Sequence, residues 1–93
     1  MGPHEMADAY LRQADAFAAI RRYEDALALC DRAIEVCPES AEAWTRKATV
    51  LRLRGRLLEA LECAGKALEI GPSPIAEALR DGLTDDLRRK GIL

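Results

Sequence analysis

The chain has 93 residues, 49% of them hydrophobic and 32% charged, a balance that supports one small globular core and excludes a disordered chain. A formal net charge of -2 and an isoelectric point near 5.4 argue against a surface built to hold phosphate backbones, so nucleic acid is not an expected partner. No apolar run approaches a membrane span and the opening MGPHEM lacks the apolar centre of a secretion signal, so no membrane insertion is expected and the expected location is cytoplasmic.

Residues 1–4 are expected as a flexible leading segment, with a single domain over residues 5–93. A first helix is expected over residues 5–20, with Tyr10, Ala14, Phe17 and Ile20 recurring on one face. Glu5 and Asp8 put negative charge at its positive end. Arg21 and Arg22 then form a bend. A second helix over residues 23–36 places Ala26, Leu27, Cys30, Ala33 and Ile34 on its apolar stripe and stops at Pro38. Ser40 is a favourable N-cap for a third helix over residues 41–54, whose buried face reads Trp44, Ala48 and Leu51. Gly55 supplies the left-handed conformation that closes a helix. The fourth helix, residues 57–70, carries Ala60, Leu61, Ala64, Ala67 and Leu68 and ends at Gly71 and Pro72. Ser73 and Pro74 pair an N-cap with a first-turn proline, so a fifth helix starts there and runs to about residue 90. Its single apolar stripe, Ile75, Leu79, Leu83 and Leu87, suits a terminal element that packs on one side only.

Three cysteines, Cys30, Cys37 and Cys63, are accompanied by a single histidine, His4, and by no CxxC pair. Neither a zinc site nor a disulfide framework is expected, and no cofactor. Cys30 and Cys63 fall inside helical patterns as packing residues, whereas Cys37 lies in a turn and could be exposed. With one histidine, no glycine-rich phosphate loop and no serine or cysteine beside an orienting base, the chain offers no catalytic set, and an enzyme is not expected.

The second half of the chain repeats the first at an offset of 34: Trp44 falls on Tyr10, Ala60 on Ala26, Leu61 on Leu27, Ala67 on Ala33 and Pro72 on Pro38. A fixed period with two helices per copy is the signature of a stacked helical repeat. Within that class the chain resembles the tetratricopeptide repeat family. The second copy supplies Trp44, Ala60, Ala67 and Pro72, with Lys47, Ala48, Leu51 and Ala64 at the other signature places. The first reads Tyr10, Gln13, Ala14, Phe17, Ala26, Cys30, Ala33 and Pro38. The resemblance implies an all-α fold, a right-handed α-α superhelix of about five antiparallel helices, with repeat one over residues 7–40, repeat two over 41–74 and a capping helix over 74–90. It also implies a non-catalytic scaffold for protein–protein interaction that receives a peptide or helix of another protein in a concave groove.

Arg12, Arg46 and Arg80 stand at successive offsets of 34, hence at one place on each first helix. Equivalent positions in a stacked array form a row. In the family the first helices line the groove, so the resemblance places three guanidiniums along one wall, where their planar forks suit the carboxylates of an acidic ligand. Thr49 and Arg52 are assigned to the same groove, Arg56 would extend its positive wall, and Asp15 and Glu42 would restrict which acidic ligands enter. The competing reading is a solvated face of intrahelical ion pairs, with Asp8 before Arg12, Glu42 before Arg46 and Glu77 before Arg80. Some family members clamp the terminal carboxylate of chaperone tails with two Lys, two Asn and an Arg; here only Arg80 matches, and Leu11, Asp15, Arg46 and Ala76 hold the other places, so that clamp is not carried over. The alternative function is a structural or self-associating module, a homo-oligomer or a fragment of a longer repeat protein, with Leu53 and Leu58 as the self-association surface.

Overall fold

Five helices and no strand make up the computed structural model, which describes residues 1–93: α1 Pro3–Ala19, α2 Tyr23–Val36, α3 Ala41–Leu53, α4 Leu57–Ile70 and α5 Pro74–Arg89. Helix α1 begins earlier than the acidic first turn suggested, because Pro3 has the fixed φ of a first helical residue. Pro3 and His4, read from the sequence as preceding the domain, therefore form the first turn of α1. Ser40 and Ser73 cap α3 and α5, each side-chain oxygen accepting the backbone N–H three residues on, from Ala43 and Ala76, at 3.2 Å. Each such cap is worth about 1 kcal/mol.

The period is visible in the backbone of the turns. Arg21 and Gly55, one repeat apart, both take positive φ, at 63° and 87°. The next residue donates to the carbonyl five positions back in each case, Arg22 to Phe17 and Arg56 to Leu51, both at 2.9 Å. Gly91, with φ 76°, closes α5 the same way, through Ile92 donating to Leu87 at 2.9 Å. These are three copies of one left-handed helix stop. The first two fold α1 onto α2 and α3 onto α4 as antiparallel hairpins.

Helix α2 packs on α3 and α4 on α5, which stacks the hairpins, and α3 also touches both α1 and α5, whereas α2 and α4 do not meet. Contact between alternate helices on one side only means that the array bends toward that side. Helices α1, α3 and α5 therefore form the inner, concave layer of a slab measuring 45 × 30 × 17 Å.

Alanine lines the seams between these layers. Ala14, Ala26 and Ala33 and their repeat partners Ala48, Ala60 and Ala67 are all essentially inaccessible, as are Ala7, Ala43, Ala64 and Ala76. A methyl group lets helix axes approach closely, and Tyr10, Phe17 and Trp44, half-buried against the core cluster, fill the space alongside. The larger fully buried side chains are Leu11, Leu51, Leu83 and Leu87.

Three sequence expectations change. On α1 the buried line is Ala7, Leu11 and Ala14, and Ile20 is 63% exposed, because α1 meets both α2 and α3 and its packed face is turned one residue from the aromatic stripe. On α5 Ile75 is 72% exposed and Ala76 takes its place in the seam, since the close approach at the start of α5 admits only a methyl group. Cys37 is fully buried; the first turn of α1 lies over it, through His4.

Candidate functional site: the inner face of α1, α3 and α5

Helix α3 is the middle of the concave layer, and Arg46, Thr49 and Arg52 follow one another at three-residue spacing along one of its faces. Thr49 is exposed, and its hydroxyl donates back to the Thr45 carbonyl at 3.0 Å. Arg46 reaches both ways: Nη1 donates to Asp15 Oδ2 on α1 at 2.6 Å and Nη2 to Glu42 Oε1, one turn earlier on α3, at 3.2 Å. Arg52 crosses to the other neighbour, Nη2 donating to Asp86 Oδ2 on α5 at 2.9 Å. Asp86 also accepts from Arg89. The Arg52 hydrogen bond holds the Asp86 carboxyl below the usual carboxylate range, against partial desolvation and with Arg89 adding in the same direction.

The six residues assigned from the sequence are thus largely brought onto one layer, but the arginine row is not a bare positive wall. Arg46 and Arg52 are paired across helices, and Arg80 pairs with its neighbour Asp81 at 3.3 Å. Arg12 makes no ion pair and is exposed beside Asp8, Leu11, Glu42 and Arg46, around a shallow hollow of about 220 Å³. Of the three intrahelical pairs weighed from the sequence, Glu42 with Arg46 forms, while Asp8 with Arg12 and Glu77 with Arg80 do not. Arg56 does not extend the wall: its guanidinium is held by Glu59 at 2.7 Å and lies 3.9 Å from Glu24, on the outer helices α4 and α2.

A wider hollow of about 590 Å³ opens between α3 and α5, lined in part by Thr49, Arg52, Leu53, Leu79, Asp86 and Lys90. Leu79, read from the sequence as a packing residue of the last helix, and Asp86 and Lys90 were not assigned to the site from the sequence. The signal was available for Asp86, which stands one repeat after Arg52 and so occupies the same place on the next inner helix. On the opposite side of α3, Lys47 Nζ bonds Asp31 of α2 at 2.8 Å and lies 5.9 Å from the Trp44 ring centroid, while Trp44 Nε1 donates to the Pro38 carbonyl at 3.1 Å. These contacts fasten the second hairpin to the first and leave the inner face to the arginines.

What this face can do chemically is exchange ion pairs. Its bridges are at least partly open to solvent, and such pairs contribute only about 0–1 kcal/mol.

A stacked array of helical hairpins with a polar concave face is a scaffold for protein–protein interaction. Family models described as tetratricopeptide repeat match residues 7–50 and residues 41–74, and the chain belongs to that family. DnaJ homolog subfamily C member 7 of Homo sapiens is 30% identical over 76 residues, covering 82% of this chain and 15% of the relative. Sperm-associated antigen 1 of Mus musculus is 33% identical over 66 residues, 71% of this chain and 7% of that protein. The chain thus spans a small part of the length of these curated relatives. No helix is long and apolar enough to cross a membrane.

Proposed function

We propose that the concave face receives an acidic peptide or helix of another protein, held by Arg12, Arg46, Arg80 and Arg52 along α1, α3 and α5, with Thr49 between them and Asp15 limiting which acidic ligands enter. The observation that carries this reading is Arg12: an exposed guanidinium with no internal partner, at the rim of a hollow it shares with Arg46. Arg12 offers a first contact for a carboxylate, and exchange of the Arg46 and Arg52 pairs then propagates the contact along the row. The role is non-catalytic, needs no cofactor, and suits a cytoplasmic scaffold.

Fluorescence anisotropy with labelled acidic peptides tests it. Arg12→Ala and Arg46→Ala are each expected to weaken binding about tenfold, the scale of a lost charge-assisted hydrogen bond, and raised salt should weaken it further. Unchanged affinity in the triple Arg12→Ala, Arg46→Ala, Arg80→Ala variant contradicts the assignment.

One observation favours self-association as a second reading. Leu58 and Ile92, both more than half exposed, share a hollow of about 290 Å³ with Leu57 and Leu87 at the turn end of the second hairpin, and Leu53 is 57% exposed. Sedimentation across a concentration series separates the readings: a mass that doubles with concentration and reverts in Leu58→Glu supports it, and a constant monomer mass removes it.

A further inference from the structure

The first turn of α1 and the turn between α2 and α3 meet at three side chains of different chemistry. His4 Nδ1 lies 3.4 Å from Cys37 Sγ, with Nε2 at 3.9 Å, and Cys37 Sγ lies 3.6 Å from Glu39 Oε1. One donor atom from each residue falls within 4.8 Å of the others. Two of the three come from residues 33 positions apart in the chain, so the fold, not local sequence, assembles the set.

We propose that His4, Cys37 and Glu39 bind a divalent transition-metal ion of the zinc type. Zinc–nitrogen and zinc–sulfur bonds of about 2.0 and 2.3 Å at tetrahedral angles put nitrogen and sulfur about 3.5 Å apart. The two observed distances to Sγ, 3.4 and 3.6 Å, are those of a tetrahedral edge. A thiolate and a carboxylate neutralise the dication, and neutral imidazole completes a nitrogen, sulfur and oxygen set of the softness zinc prefers.

The surroundings agree. Cys37 is fully buried while His4 and Glu39 are exposed, so the sulfur is shielded and the other two donors admit an ion from solvent. Water from the exposed side of the cluster completes the coordination. Binding releases the Cys37 proton to solvent and ties the start of α1 to the α2–α3 turn. The sequence argument against zinc rested on a single histidine and no CxxC pair; a mixed three-donor site needs neither.

Cobalt(II) is the probe, added to the full-length reduced chain after chelation, with zinc as competitor. One equivalent is expected to bind with thiolate-to-cobalt charge-transfer absorption, to be displaced by zinc, and zinc is expected to raise the thermal midpoint. His4→Ala and Glu39→Gln are each expected to weaken binding at least tenfold, and Cys37→Ser to abolish the charge-transfer band. Because Cys37→Ser alters a buried position, the two exposed variants, checked for native circular dichroism, decide the matter. The proposal is overturned by absence of the band in the unsubstituted protein, by its persistence in Cys37→Ser, or by unchanged affinity in His4→Ala and Glu39→Gln.

Discussion

Arg52 and Asp86 hold the same position on successive inner helices, one repeat apart, and are joined at 2.9 Å. The guanidinium lies across α5 where Gly82 presents no side chain: a Cβ there would sit 3.1 Å from both Nη1 and Nη2. The glycine and the arginine are therefore coupled. In an otherwise open helix interior, Gly82→Ala gains about 1 kcal/mol of helix propensity. That gain is expected in an Arg52→Ala background and should be visibly smaller with Arg52 present, where the guanidinium must move aside. Urea denaturation of the four proteins of the cycle measures the difference; equal gains in both backgrounds mean that Arg52 is not seated on α5.

The same pair sets an acid dependence. Asp86 has a carboxyl pKa lowered in the folded state from its ordinary value of 3.8, so the pair stabilises the fold at pH above that value. This contribution is lost as pH falls through the lowered folded value. Thermal midpoints measured from about pH 5 down to about pH 2 should fall less steeply for Asp86→Asn than for the unsubstituted protein. Parallel curves contradict the linkage. Glu59 is likewise held low, by Arg56, and adds an acid dependence of its own, which is why the comparison between the two proteins, not the slope of either, carries the test.

The hairpin turns make a matched pair of backbone predictions. Arg21 occupies the left-handed region with φ 63° and Gly55 does so with φ 87°, with nothing within 4 Å of the place a Gly55 Cβ would take. The cost of a side chain at Gly55 is conformational, not steric with neighbours. Gly55→Ala is expected to destabilise by about 1 kcal/mol and Arg21→Gly to stabilise by about 0.5–1 kcal/mol. Thermal or urea denaturation reads both; a stabilising Gly55→Ala would overturn the shared turn geometry.

Much of this architecture was legible because a repeat writes its structure twice. The offset between Tyr10 and Trp44, or Ala26 and Ala60, located both hairpins, and Ser40, Ser73 and the prolines placed helix starts through chemistry that acts within a few residues. What periodicity could not supply was rotation of a helix against two neighbours at once, which turned α1 toward Ala7 and Leu11 and left Ile20 in solvent. The site was legible to the same depth. The arginine row followed from the period, but Asp15 and Arg46, 31 residues apart, become partners only when α1 and α3 stack. His4 and Cys37 likewise carry no common motif and meet only through the packing of α1 over the next turn.

The other two cysteines should behave as core residues. Burial, with Asp31 and Asp15 adding, pushes the Cys30 thiol up to about 12, and burial raises Cys63. A thiol whose folded value is raised favours the fold at pH below its ordinary 9.0 and ceases to do so as pH rises above it. Both should resist a thiol reagent at neutral pH in the native protein and react on addition of denaturant. Mass spectrometry of the modified protein counts the labels, and rapid native modification of Cys30 would show that the α2 seam is open.

The claim that the inner layer is the binding face is tested most directly by amide chemical-shift mapping during titration with an acidic peptide. The prediction is that perturbed amides cluster on α1, α3 and α5 around Arg12, Arg46, Thr49 and Arg52, and that the pattern collapses in the triple arginine variant. Shifts confined to α2 and α4 or to the end face around Leu58 and Ile92, or none at saturating peptide, would contradict it.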